Sequence, residues 1–405
     1  MLALWVVTFA AIGALAQAPP PSTWAALKPL PHQGRSAIFA LAVDPSNSEA
    51  VIAGSSDGSL LKSADGGSTW TSTHSGKAVP TTIAFSPYKP GQVLAGTRGG
   101  GALLSRDGGA TWSAATGLEG RVVRVFAFSL TIALAGTDKG VFVSQDGSSW
   151  SPSGLAGSSI DALAVGAVHV PIHVFAAADG PLSSGNLPMF QSADGGATWS
   201  PMNPAISGTF AVKLTAGPLP PVGLTRPLVV GTNAGLFLSP DNGASFTPLS
   251  GGTQLPSTDY TQIAFITDHF DRFYAASDGG GSGAGGIWRT NDAGQTFTSL
   301  VPPMRSITAL AVSNDESPTL YVATFRPLDH VAALWIYHDT GGTPQGPLGL
   351  PTPAASGTRT SSGSSPGNSL LDILTSSQAP YVGIGLAALI VVMLAVIAHM
   401  RGRRG

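Results

Sequence analysis

Short apolar runs alternate with turn residues along most of this chain. Ala37–Val43 is apolar and β-prone, and Asp44, Pro45, Ser46 and Asn47 then form a turn. Ala50–Gly54 is a second run, Ser55–Gly58 a second turn, and Leu60–Ser63 a third run. The phrase Ser-Ala-Asp-Gly-Gly-Ser-Thr-Trp, Ser63 to Trp70, turns the chain into a fourth run at Thr69–Thr73. Runs this short, bounded by Gly, Pro and Asp, predict four strands joined by tight turns.

The same order returns. Second strands are predicted at Val93–Thr97, Ile132–Thr137, Val174–Asp179, Leu228–Thr232, Phe273–Asp278 and Leu320–Thr324. The turn phrase recurs at Ser105–Trp112, one residue shorter at Ser144–Trp150, and at Ser192–Trp199. Weaker copies stand at Ser239–Phe246 and Thr290–Phe297, with a trace at Asp339–Gly342. A period of roughly 40 to 50 residues, four strands each time, is the pattern of a β-propeller. Asp65, Asp107, Asp146, Asp194, Asp241, Asp292 and Asp339 count seven blades. No Trp-led strand follows Asp339, but Ser22-Thr23-Trp24 precedes the first unit. Residues 22 to 31 are therefore expected to supply the outer strand of the last blade and close the ring, covering an edge otherwise left unpaired.

The recurring residues have a structural reading. An Asp accepts hydrogen bonds from the backbone of a tight turn, and Gly takes the positive φ angles there. The aromatic residue opening the fourth strand packs between blades. The structural set is Asp65, Trp70, Asp107, Trp112, Asp146, Trp150, Asp194, Trp199, Asp241, Phe246, Asp292 and Phe297. A residue needed in every blade is needed by the blade.

The phrase Ser-x-Asp-x-Gly-x-Thr-Trp resembles the bacterial neuraminidase repeat, or Asp-box, over roughly residues 35 to 343. The resemblance implies a propeller, not an activity: Asp-box propellers occur in sialidases, xyloglucan-degrading glycosidases, sortilin-type receptors and photosystem II assembly factors. The Gly-Thr-x-x-Gly phrases at Gly136–Gly140 and Gly231–Gly235 look most like the assembly-factor and surface-protein branch.

The two ends carry different signals. Leu2–Ala16 is an apolar run ending in Ala14-Leu15-Ala16, ahead of Pro19–Pro21. It predicts a signal peptide over residues 1–16; no Lys or Arg precedes it, so an uncleaved anchor is the alternative. The propeller is expected over 17–343. Residues 344–379 are rich in Ser, Thr, Gly and Pro and predict a disordered linker. The uncharged apolar run within 380–398 predicts one transmembrane helix. The basic tail at 399–405, with Arg401, Arg403 and Arg404, is expected in the cytoplasm and the propeller outside.

Composition removes several classes. The formal net charge of −2 provides no bulk attraction to nucleic acid. With 0 Cys, disulfides and thiolate metal sites are excluded, and the 8 His are scattered, so no metal and no cofactor is expected. The chain shows no dinucleotide fingerprint or phosphate-binding loop.

In a propeller, the turns linking second and third strands lie on the face opposite the repeated Asp turns, where ligands usually bind around the channel. The candidate binding residues on that face are Arg35, Asp57, Arg98, Arg121, Arg124, Asp138, Asp179, Asp278, Arg305, Arg326, Asp329 and His330. Lys77, Glu119, Asp161, Asp259 and Tyr260 join them from the segments leading into each blade. No catalytic residue is assigned. A sialidase would need a Tyr paired with a Glu, and only Glu119 of the three glutamates falls on this face. A glycosidase would need two carboxylates at about 5 to 9.5 Å, with Asp138, Asp179, Asp278 and Asp329 as the supply. The sequence reading is a monomeric, membrane-anchored, extracytoplasmic propeller that binds a protein or glycan without enzymatic chemistry; the alternative is a glycoside hydrolase.

Overall fold

The computed structural model describes residues 22–30, 36–169, 171–180, 186–204, 206–208, 211–219, 226–249, 255–256, 259–266, 269–279, 285–326 and 328–342. The signal peptide, linker, transmembrane helix and basic tail read from the sequence lie outside the described residues. Among those described, the strands β1 to β28, numbered in chain order, form seven four-stranded antiparallel sheets.

Six sheets use four consecutive strands each. Their first strands are β2 (Ile38–Asp44), β6 (Pro80–Phe85), β10 (Val123–Phe128), β14 (Ile160–Ala167), β18 (Ala211–Ala216) and β22 (Tyr260–Ile266). The seventh contains β26 (Ile307–Val312), β27 (Thr319–Arg326) and β28 (Val331–His338), with β1 (Trp24–Ala26) as its outer strand. Trp24, Ala25 and Ala26 pair with Tyr337, Ile336 and Trp335. The seven first strands pack against one another in sequence, with β26 against β2, so they ring a central channel. The all-β, seven-bladed architecture and its N-terminal closure are as the sequence predicts.

One apolar cluster fills each seam between blades. Ala40, Ala42 and Ile52 of the first blade meet Ile83, Val93 and Ala95 of the second. At the closing seam, Ala309, Tyr321 and Ile336 meet Leu41, Val51 and Leu61, and Leu27 and Leu30 of the N-terminal segment join them. Burying such side chains contributes about 1.5 to 3 kcal/mol each. The sheets must come close for this. A Cβ on Gly96 would stand 2.8 Å from the Val123 carbonyl oxygen, and one on Gly231 2.6 Å from that of Tyr260. The penultimate glycine of each of these second strands therefore lets the next blade's first strand approach.

The repeated phrase folds as a hydrogen-bonded turn. Asp107 Oδ1 accepts from the Thr111 backbone N–H at 2.9 Å, and its Oδ2 from the Thr111 hydroxyl at 2.6 Å. Ser105 Oγ donates to Asp107 Oδ1 and accepts from Gly109 N–H, each at 2.8 Å. Asp65, Asp194, Asp241 and Asp292 repeat this arrangement. The Thr111 hydroxyl, then its backbone N–H, hold the Asp107 carboxyl well below the usual carboxylate range. The same donors from Thr198 bring Asp194 to about 2.

The aromatic residue that follows reaches across a seam. Trp112 Nε1 donates to Thr73 Oγ1 of the preceding blade at 3.1 Å, and Trp199 Nε1 to the Ser153 carbonyl at 2.7 Å. Trp24 Nε1 does the same to the Leu300 carbonyl at 2.7 Å, so β1 takes up the role of a fourth strand in full.

Asp339 departs from the other six aspartates. It is fully buried rather than capping an exposed turn. Arg289 binds its Oδ1 at 2.5 Å and Arg272 its Oδ2 at 3.0 Å. The Tyr274 hydroxyl donates to Oδ2 at 2.7 Å and the Gly341 N–H to Oδ1 at 2.9 Å. The seventh position of the repeat has become a charge cluster joining the end of β28 to the sixth blade.

Candidate binding site at the channel mouth

Every first strand carries a β-bulge at the same place. The register skips between Ile38 and Ala40, Pro80 and Thr82, Val123 and Val125, and Ile160 and Ala162. It skips likewise between Ala211 and Lys213, Tyr260 and Gln262, and Ile307 and Ala309. The extra residues include Phe39, Thr81, Arg124, Asp161, Thr261 and Thr308. A bulge frees one residue from the ladder and re-aims it; repeated seven times, it sets one such residue per blade around the channel. Phe39 is 40% exposed there.

The ring is charged on one side only. Arg124 and Asp161 occupy neighbouring blades, and Arg124 Nη1 binds Asp161 Oδ1 at 2.5 Å. The same nitrogen hydrogen-bonds the Ser159 hydroxyl and lies 3.8 Å from Asp179 Oδ2. A depression of about 700 Å³ opens over this group, lined by Thr81, Arg98, Val122, Arg124, Asp161, Asp179 and Ala211. Burial first, then a hydrogen bond with Asp179, push the Asp161 carboxyl up to about 7 against the pull of Arg124. Asp179 is held below the usual range chiefly by that shared hydrogen bond. The two carboxyls therefore titrate as a coupled pair.

The other candidate residues serve their own loops. Asp57 accepts from Ser59 N–H, and Asp138 from Val122 N–H at 3.0 Å. Arg121 stacks 5.9 Å over Phe142. Arg326 and Asp329 pair with each other at 2.5 Å, beside His330, whose ring is 6.2 Å from Phe325. Asp278 lies near Asp259, whose carboxyl is raised by burial and by the Asp278 charge. Arg305 is exposed, and Arg35 lies outside the described residues. Glu119 turns back onto Gly117 N–H, while the Tyr260 hydroxyl donates to the Pro256 carbonyl, so these two are each engaged elsewhere. Of the twelve candidates, Arg98, Arg124 and Asp179 meet, with Asp161.

One residue of the channel was not visible in the turns. Lys213 follows the bulge of β18 and lines an inner cavity of about 240 Å³ with Phe39, Thr82, Arg124, Asp161 and Gln262. Desolvation lowers its ammonium below the usual lysine range. Aligning the first strands, rather than the turns, is the signal that finds it.

No protein-family model matches this chain, and no curated protein matches it. Among solved structures it is similar to YCF48 from Cyanidioschyzon merolae, at 18% identity and TM-score 0.50, over 78% of this chain and 99% of that one. It is similar also to YCF48 bound to D1 peptide, at 16% identity and TM-score 0.52, over 78% and 97%. An ancestral GH74 enzyme aligns at 14% identity and TM-score 0.48, over 76% of this chain and 55% of its own. The strand order defines the class, a seven-bladed β-propeller, and the two YCF48 structures share that fold.

Proposed function

We propose that this chain is a membrane-anchored, extracytoplasmic propeller that binds a segment of another protein at its channel mouth and performs no chemistry there. One observation carries the reading: Arg98, Arg124, Asp161 and Asp179 gather on one side of an open depression of about 700 Å³. A mixed-charge patch beside an exposed Phe39 suits a polypeptide carrying both charged and apolar side chains better than an uncharged sugar. A YCF48 propeller has been solved with a D1 peptide, which supports peptide binding as within reach of this fold. The apolar leader and the C-terminal apolar run support placement outside the cell and attachment to its membrane. The Asp-box resemblance supports a family of binding and catalytic propellers alike.

Hydrolysis is disfavoured by the same residues. Asp161 and Asp179 both turn to the same Arg124 nitrogen, at 2.5 and 3.8 Å. A retaining glycosidase holds its carboxyls about 5 to 5.5 Å apart, and an inverting one about 6.5 to 9.5 Å. Carboxyls that share one guanidinium nitrogen are held to that cation rather than set on either side of a glycosidic bond.

The test places a photo-crosslinking amino acid at Thr81 of the full chain in its own cells, with a second variant carrying it at Thr111 on the opposite face. A defined protein adduct from position 81 is expected, absent from position 111 and lost when Arg98 and Arg124 are both changed to Ala. Adducts equal at both positions, or sugar release from polysaccharides by the purified chain, would sink the reading.

A further inference from the structure

Below the mouth the channel changes character. Arg124 and Asp161 face each other at the top, and Asp161 is already committed to Arg124 and Asp179. Lys213 lies deeper and lines both the inner cavity and the space of about 430 Å³ that opens toward the opposite face. Arg226 lines that second space as well, its guanidinium fixed by the Val165 and Gly217 carbonyls at 2.6 and 2.5 Å. Among the described residues no carboxylate lines this lower space. Three cations therefore succeed one another along the channel in a protein whose formal net charge is −2. The positive channel is a local construction, not an overflow of bulk charge.

Lys213 is also unlike the other two cations in having no partner. Its ammonium makes no hydrogen bond or ion pair with a described residue, whereas Arg124 and Arg226 are both engaged. Two more donors in the same cavity, the Thr82 hydroxyl and the Gln262 side-chain amide, are likewise without a described partner. The three come from β6, β18 and β22, and each follows directly on or at the bulge of its strand. An ammonium without a direct partner favours an anion beside it, and the carboxylate that shares its cavity, Asp161, is turned to Arg124 instead. Leu41, Ile83, Val125, Ile263 and Leu310 complete the lining of the cavity.

We propose that the channel waist is an oxyanion-binding site, with the Lys213 ammonium as counter-charge and Thr82 and Gln262 as hydrogen-bond donors. The oxyanion is either a free inorganic ion or the carboxylate of a larger molecule threaded from the mouth. Charge-assisted hydrogen bonds to such an ion are about twice as strong as neutral ones, and Lys213 is the cavity's cation without a described partner, since Arg124 is paired with Asp161. The site does not rest on the partner proposed for the mouth: an ion bound at the waist and a polypeptide bound at the rim are separable outcomes.

The experiment titrates the full chain in detergent with sodium phosphate, and separately with sodium acetate, at ionic strength fixed by sodium chloride. Thermal midpoint and calorimetric heat are both read. The wild-type chain is expected to bind one of the two saturably. Lys213→Met should weaken that binding about tenfold or more, and Lys213→Arg should retain most of it. A response to phosphate alone identifies an inorganic oxyanion; a response to acetate identifies a carboxylate group. Neither salt acting beyond chloride, or Lys213→Met binding like wild type, overturns the proposal. If Lys213→Met does not fold, acylation of the wild-type Lys213 amine by acetic anhydride, followed by mass spectrometry, decides instead. Protection by the active salt supports the site, and an unchanged labelling rate overturns it.

Discussion

Trp24 and Tyr337 lie in register on adjacent strands, with ring centroids 4.8 Å apart, although they come from opposite ends of the propeller sequence. The ring is held shut by this pairing and by the Trp24 indole bond to the Leu300 carbonyl. No covalent link is involved. Deleting residues 22–30 should lower the melting temperature sharply and leave the β28 edge open to self-association. Trp24→Ala should cost about 3 kcal/mol, the lower end for a large aromatic because the ring is only half-buried. Urea unfolding checks both; an unaltered midpoint for either would remove β1 from the closure.

The Asp339 cluster gives a second expectation. Removing one partner of a buried ion pair leaves uncompensated charge and costs about 3 to 5 kcal/mol. Asp339→Ala strands Arg272 and Arg289 together, so it should destabilise at least that much. Replacing Arg272 and Arg289 by Met and Asp339 by Leu in one chain should recover most of the loss. Equilibrium unfolding of the two variants separates the charge effect from simple packing; equal losses would show that packing alone matters.

The repeated turns should respond to acid. The folded Asp194 carboxyl sits at about 2, below its unfolded value. The turn therefore contributes stability that is whole above about pH 4 and is lost as pH falls toward 2. Asp194→Asn should lower stability at pH 7 by about 1 kcal/mol and match wild type near pH 2. Melting curves across that range provide the check, and a constant difference would contradict the linkage.

Asp161 predicts the opposite slope. Its folded value of about 7 lies above the unfolded one, so its contribution is full below about pH 4 and is lost as pH rises through 7. Asp161→Asn should flatten the melting temperature between pH 4 and 8. A titration of the wild-type side chain by NMR should place its midpoint near 7; an ordinary carboxylate midpoint would mean that Arg124 outweighs burial.

Much of the architecture was legible because the repeat had to keep its turn chemistry. Asp107 takes the donors of its turn on both carboxylate oxygens, and a hydroxyl, from Ser or Thr, stands at the places of Ser105 and Thr111 in the other copies, so the phrase stayed readable and counted the blades. Trp24 was legible for the same reason. Asp339 was misleading as a turn residue: its neighbours in sequence look like the others, but its partners Arg272 and Arg289 are distant in sequence and give no local signal. The candidate site was legible in part. Arg124, Arg98 and Asp179 lie on the expected face, yet their convergence depends on which blades are neighbours and on a bulge that alternation alone does not reveal. Lys213 reads as an ordinary polar residue in an apolar strand until the channel is built around it.

The exit of the chain from the seventh blade has a mechanical consequence. β28 is hydrogen-bonded on both sides, to β27 along its whole length and to β1, and the Arg272 and Arg289 guanidinium groups grip Asp339 just past its end. Tension applied beyond Gly342 runs along that strand. It meets many bonds in parallel shear rather than one at a time at a peeling edge. The propeller would therefore resist being pulled apart by its own tail, and force on the tail would turn or displace the ring as a unit before unravelling it.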